Sequence, residues 1–70
     1  MDRKRIGRRI RGFRKLKGYT QMDFAKRLGV PLAVLGSVER GTREIPEGLI
    51  EQIAGTLNIE KDELLKLKVE

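Results

Sequence analysis

Apolar residues recur at helical spacing through most of the chain, and glycines mark where that spacing breaks. The first predicted helix covers residues 3–17 and ends before Gly18, as expected when a residue of left-handed conformation stops a helix. Its apolar stripe repeats at steps of four, three and three residues and consists of Ile6, Ile10, Phe13 and Leu16.

Two short helices joined by a tight turn are predicted next. Thr20 begins the first of them, because its hydroxyl can accept a hydrogen bond from a free backbone N–H of the first turn, and Gly29 ends it. Pro31 suits the start of the other, which ends at Gly41. Two short helices around a glycine-containing turn are typical of a helix-turn-helix.

The rest of the chain predicts a loop over residues 42–46, a fourth helix that stops at Asn58, and a short fifth helix over residues 60–65. Residues 65–70 alternate apolar and charged positions, which fits either a short strand or a frayed helix end. The predicted fold class is all-α. We expect one domain over residues 1–70, with a core at 6–65, a basic N-terminal arm at 1–5 and a C-terminal tail at 66–70.

The amino-acid composition excludes several kinds of functional site. Seventy residues suffice for one domain, and the chain has neither cysteine nor histidine. Disulfides, thiolate metal sites and the commonest general base are thereby excluded, and the remaining polar residues form no recognisable catalytic constellation. We therefore predict no enzyme, metal site, cofactor or small-molecule ligand. The sequence has no apolar run of the roughly 18 residues that a membrane span needs and no signal-peptide pattern, so a cytoplasmic location is expected.

The charge is unevenly distributed. The chain carries a net charge of +6, but residues 1–43 hold 13 Lys and Arg against 3 Asp and Glu, whereas residues 44–70 hold 3 against 7. A net +10 in one part and −4 in the other indicate one face that meets a polyanion and one that does not.

The segments IGRRIRGFRKLKGYTQMDFAKRLGV, LGSVERGTR and LIEQIAGTLNIEKDELL, in that order, resemble the Cro/phage-repressor family, also called the XRE family. The match spans residues 6–65 and is most specific at residues 18–21, at Ala25 with residues 28–30, and at residues 39–41. The resemblance implies a compact five-helix bundle of the lambda-repressor-like type, whose second and third helices form the helix-turn-helix. It also implies a DNA-binding transcriptional regulator, a repressor, with the third helix in the major groove of double-stranded DNA.

The resemblance places phosphate contacts at both ends of the helix-turn-helix. Thr20 and Gln21 begin the second helix, where free N–H groups and the helix dipole favour an anion. Thr20 also serves as a cap. Arg40, Thr42 and Arg43 match the positions after the third helix that meet the DNA backbone again, and arginine suits phosphate through its forked donors. A solvated loop charge is the alternative for the two arginines.

Arg14 and Glu39 occupy positions that pair with each other in many relatives. The resemblance therefore implies an internal ion pair between the first and third helices instead of a DNA contact at Arg14. Removing one partner of such a pair costs about 3–5 kcal/mol when the site is buried.

The third helix departs from the family pattern. The positions that face bases in relatives hold small or apolar residues, namely Pro31, Leu32, Ala33, Gly36 and Ser37. Three explanations stay open: apolar contacts with thymine methyl groups, readout of DNA shape with modest base specificity, or a protein partner in place of DNA. In the last case Leu32 and Val34 belong to an exposed apolar patch, and the chain is a protein-interaction module with a degenerate helix-turn-helix. Val34 packing in the core is the simpler alternative.

The N-terminal cluster is strongly basic. It serves either as an arm in a minor groove or as a strip beside the DNA backbone. The residues assigned to the arm are Arg3, Lys4, Arg5 and Arg9, with Arg8 and Arg11 completing the cluster. A membrane-surface role is disfavoured, because the core needs the apolar residues of the same helix.

A homodimer is expected from the family and from the two-fold symmetry of operators. The C-terminal half offers the candidate surface, made of apolar residues that a small monomer does not readily bury: Leu57, Ile59, Leu65, Leu67 and Val69.

Overall fold

The computed structural model describes residues 2–65, and this part of the chain contains five helices and no strand. The helices are α1 (Arg3–Leu16), α2 (Gln21–Leu28), α3 (Leu32–Arg40), α4 (Leu49–Leu57) and α5 (Lys61–Leu65). The predicted all-α five-helix fold is confirmed. The predicted alternation of the tail and the dimer residues Leu67 and Val69 lie outside the described residues. Among the described helices, none has the length and apolar character to span a membrane.

The buried stripe of α1 differs from the predicted one at its end. Ile6 and Ile10 are fully buried, but Leu16 is 76% exposed. Two successive steps of three residues turn a helical stripe by about 120°, because a helix has 3.6 residues per turn, and this rotation carries Leu16 out of the interface. The opposite flank of the stripe is occupied instead by Gly7 and Arg14, both buried.

The helix-turn-helix forms as predicted. The Thr20 hydroxyl oxygen accepts a hydrogen bond from the backbone N–H of Asp23 at 3.0 Å, which caps α2. Gly29 ends α2 at φ +72°, a left-handed conformation that glycine adopts without steric cost. Pro31 precedes α3 with extended backbone, and Gly41 ends α3 at φ +73°.

The five helices enclose one apolar core. Its buried members are Ile6, Ile10, Phe24, Ala25, Leu28, Leu35, Val38, Leu49, Ile50, Ile53, Ala54, Leu57 and Leu64. α1 packs against α3, α4 and α5, whereas α3 packs mainly against α1 and α2. The assignment of Leu57 to a dimer surface is wrong, because this side chain is 1% exposed and belongs to the monomer core. Ile59 and Leu65 are half-buried against the core.

Two polar contacts hold α5 onto the rest of the bundle. Arg9 Nη1 of α1 donates to the backbone carbonyl of Glu63 at 3.3 Å. Lys61 Nζ donates to Glu51 Oε2 of α4 at 2.9 Å. The hydrogen bond from the Lys61 ammonium lowers the pKa of Glu51 below its usual value, although both groups are exposed.

Candidate nucleic-acid interface

An open groove of about 730 Å³ lies between α1, α2 and α3. It is lined by Lys4, Arg8, Arg11, Arg14, Gln21, Gly36, Glu39, Arg40 and Thr42. Lys4, Arg8 and Arg11 follow one another at helical spacing, so α1 presents a row of exposed cations along one side of α3. The structure thus brings together predicted contact residues from the start of α2, from α3 and from the loop after it. It adds two residues, Arg8 and Arg11, that the sequence placed only in a general basic cluster.

Arg14 and Glu39 face each other at the buried end of this groove. Arg14 Nε donates to Glu39 Oε2 at 2.7 Å, and Arg14 Nη2 donates to Glu39 Oε1 at 3.1 Å. The third guanidinium nitrogen, Nη1, donates to the Tyr19 carbonyl at 2.9 Å. Both charged residues are only 6% exposed. This fork-to-fork pair and the bond to Tyr19 engage every nitrogen of Arg14 within the protein, as expected for an internal ion pair.

Gln21 has a structural role that sequence reasoning missed. Its side-chain amide Nε2 donates to Glu39 Oε1 at 3.1 Å, and the residue is half-buried. The Glu39 carboxylate is therefore held by Arg14 and Gln21 together, and it links all three helices of the groove. Gln21 also lines the groove, and its contact with a DNA phosphate stays a prediction. Its backbone N–H still belongs to the first turn of α2, where N–H groups lack helical partners.

Three of the other predicted phosphate contacts are exposed, and one of them, Thr42, lines the groove. Thr20 and Arg43 are both exposed, as is Thr42. The Thr42 hydroxyl donates to the Ser37 carbonyl at 3.3 Å, so it also satisfies the C-terminal end of α3. Thr42 reaches an anion through this hydroxyl only by giving up that bond.

The outward side of α3 is short of polar side chains, as the sequence indicates. Leu32 is 43% exposed and Ala33 is exposed, whereas Gly36 is buried and Ser37 is half-buried. Val34 is half-buried and packs against the core, so it does not extend Leu32 into a continuous apolar patch.

The guanidinium of Arg40 lies back over α3 instead of pointing beyond its end. Arg40 Nη2 is 3.5 Å from the Ser37 hydroxyl oxygen, one turn earlier. A Cβ added at Gly36 would stand 3.1 Å from Arg40 Nη1 and 3.8 Å from Gln21 Nε2. Gly36 is thus covered by two polar side chains although it faces the groove.

The predicted basic arm does not exist as a separate segment in the described chain. Asp2 accepts a hydrogen bond from the Arg5 backbone N–H at 3.2 Å and caps α1, so Arg3, Lys4 and Arg5 form the first turn of that helix. Arg9 points to α5, where it donates to a backbone carbonyl. Charge density alone predicts a basic segment here, whereas the Asp2 cap makes residues 3–5 helical.

Comparison with known proteins identifies the protein family of this chain. A helix-turn-helix family model matches residues 10–64. The HTH-type transcriptional regulator YazB of Bacillus subtilis is 57% identical over 58 residues, which cover 83% of this chain and 84% of YazB. The restriction-modification controller protein C.AhdI from Aeromonas hydrophila is similar in structure, with a TM-score of 0.84, 36% identity and coverage of 90% of this chain and 96% of that one. The N-terminal DNA-binding domain of SinR from Bacillus subtilis is also similar in structure, with a TM-score of 0.80 and 35% sequence identity, and the match covers 93% of this chain and 96% of that domain. This chain therefore belongs to the XRE-type helix-turn-helix family of DNA-binding transcriptional regulators.

Proposed function

We propose that this regulator is a cytoplasmic repressor that binds operator DNA as a homodimer, with α3 in the major groove and the basic face of α1 beside the phosphate backbone. The observation that carries the proposal is the row of Lys4, Arg8 and Arg11, which lines the same groove as residues of α3. A row of cations beside α3 complements the negative charge of a duplex backbone, which borders the major groove that a recognition helix enters.

Contacts at the two ends of the helix-turn-helix fix the position of α3 on the duplex. The N-terminus of α2 offers backbone N–H groups at Thr20 and Gln21 to one phosphate. Arg43 and the exposed Thr42 lie beyond the C-terminus of α3 and reach a second phosphate. Contacts of this kind set register without reading sequence, and they account for affinity more than for specificity.

Base readout in this proposal is modest and partly indirect. Leu32 and Ala33 are exposed on the first turn of α3 and contact thymine methyl groups. Gly36 lines the groove beneath the ends of the Arg40 and Gln21 side chains and offers the bases no side chain of its own, and Ser37 offers one hydroxyl. Sequence-dependent shape of the duplex supplies the remaining preference.

The homodimer forms through the C-terminal half. Among the described residues, those that line the groove all precede Arg43, so α4 and α5 can meet a second copy without covering the DNA-binding side. Ile59 and Leu65 retain exposed apolar surface there. A two-fold dimer of this kind presents its two copies of α3 to half-sites about one helical turn of DNA apart.

Selection from a random duplex pool at two salt concentrations tests the proposal. We expect enrichment of a symmetric site, with affinity that falls by about 0.9 log units per log unit of salt for each phosphate contacted. Sedimentation of the protein alone and on the selected duplex measures the stoichiometry, and we expect two chains per site. Failure to retain DNA at low salt would contradict the proposal and favour a protein partner instead.

A further inference from the structure

The base-facing positions of α3 carry no side chain that discriminates strongly between bases, yet a guanidinium lies over the middle of the helix. It belongs to Arg40, the last residue of α3. Its Nη1 stands 3.1 Å from the position that a Cβ of Gly36 would occupy, and its Nη2 is 3.5 Å from the Ser37 hydroxyl oxygen. The charge therefore lies one turn closer to the centre of the helix than its place in the sequence suggests.

Helix geometry explains this position. Side chains of an α-helix lean toward its N-terminus, so a long residue covers the turn that precedes its own Cα. Residue 36 is four positions before Arg40, directly beneath its side chain. Glycine in a helix interior costs about 1 kcal/mol relative to alanine, so Gly36 is a poor choice for stability alone. Its use here is to leave the space that the guanidinium fills.

The neighbouring charges leave the fork of Arg40 available to a ligand. The Glu39 carboxylate, next in sequence, is already bound by Arg14 and Gln21. The contact between Arg40 and Ser37 is at the outer limit of hydrogen-bond distance and so is weak. Arg40 is exposed and lines the groove between α1, α2 and α3, and the parallel N–H donors of its guanidinium match the O6 and N7 acceptors of guanine.

We propose that Arg40 is a base-reading residue, which donates two hydrogen bonds from its place over Gly36 to a guanine in the major groove. This inference rests on binding of DNA through α3. It replaces the phosphate role that family resemblance gives Arg40 and leaves Arg43 as the arginine that contacts the backbone. The specificity missing from residues 32–37 is thereby supplied from the following turn.

The test compares binding of the full chain to the selected operator and to every single-base variant of it. Arg40→Lys keeps the charge but loses the planar fork. We expect it to lose about 5- to 150-fold of the preference for guanine at one position in each half-site, with the salt dependence unchanged. Arg43→Lys is the matched control and should weaken all sequences by the same factor.

Gly36→Ala tests the position of the guanidinium separately. Its Cβ would meet only the ends of two flexible side chains, those of Arg40 and Gln21, so we expect the domain to stay folded while the same guanine preference falls. Gly55→Ala is the control for the fold, because a Cβ there meets nothing within 4 Å.

Any of the following results would overturn the inference. Equal weakening of all sequences by Arg40→Lys would assign Arg40 to a phosphate. Full guanine preference in Gly36→Ala would show that the space over Gly36 has no part in readout. A wild-type protein that binds duplex DNA without base preference would contradict both this inference and the proposed operator-specific function. A wild-type protein that does not bind duplex DNA at all would contradict the proposed function, on which this inference rests.

Discussion

Gly7 of α1 lies against the backbone of Glu39 in α3, so closely that a Cβ at Gly7 would stand 2.5 Å from the Glu39 carbonyl oxygen. The Val38 carbonyl oxygen lies at the same distance from that position. About two helical turns later, Arg14 binds the side chain of the same glutamate. Glu39 is therefore held to α1 through both its backbone and its side chain. These two contacts set the distance between α3 and the row of Lys4, Arg8 and Arg11 on α1. They therefore also set the width of the groove between the two helices.

Gly7→Ala is expected to destabilise the domain by about 1–3 kcal/mol, the usual range for overpacking. The new methyl group would meet backbone atoms, which cannot move aside as a flexible side chain can. Urea unfolding followed by circular dichroism measures the change. Gly12→Ala is the matched control in the same helix. A Cβ at Gly12 meets nothing within 4 Å, so its substitution should leave stability unchanged or raise it by about 0.5–1 kcal/mol. Equal stability of the two variants would contradict the close-approach argument.

The pattern of apolar and capping residues is sufficient to predict the helices, but it does not predict the contacts between them. Apolar spacing and caps predict all five helices, because both signals are local. The close approach at Gly7 depends on two helices far apart in sequence, and nothing near Gly7 signals it. Leu16 was misplaced for a related reason, since steps of three residues look periodic while rotating away from the core.

The direction of individual side chains is the part of the candidate site that the sequence does not predict. Resemblance located Arg14 and Glu39 as partners, but it gave no sign that Gln21 also binds Glu39. Charge density grouped Arg9 with the exposed arginines, although Arg9 turns to α5. The position of Arg40 over Gly36 is likewise a matter of one rotamer, which composition and spacing do not specify.

The Arg14–Glu39 pair is expected to behave as a unit. Arg14→Met leaves a buried carboxylate with Gln21 as its remaining partner, and it should cost about 3–5 kcal/mol in the free energy of unfolding. Glu39→Gln in the same background removes the stranded charge, and we expect it to restore a large part of that loss. A double-mutant cycle by chemical denaturation gives the coupling energy. Additive effects of the two substitutions would mean that the pair does not interact in solution.

Arg9→Met separates structure from DNA binding within the basic cluster. Methionine keeps an apolar stem against the core but loses the bond to the Glu63 carbonyl, a loss of about 0.5–1.5 kcal/mol. For a domain of this size we expect the melting temperature to fall by about 4–8 °C for each kcal/mol. DNA affinity at a temperature where the variant is folded should keep its salt slope. Arg3→Met, at an exposed site, is the control, expected to change stability by no more than about 0.5 kcal/mol. A reduced salt slope for Arg9→Met would show that Arg9 contacts phosphate after all.

Arg8→Gln tests whether the basic face of α1 lies on the DNA backbone. The side chain is exposed and lines the groove, so its removal should leave stability almost unchanged. If Arg8 neutralises one phosphate, the slope of log affinity against log salt should become shallower by about 0.9 per chain, whatever the sequence of the duplex. Lys26→Gln removes the same charge from an exposed position of α2 that does not line the groove, and its slope should match the wild type. Because both variants have the same net charge, a slope that changes equally in both would assign the effect to the overall field of the protein, and the α1 face would lose its place in the interface.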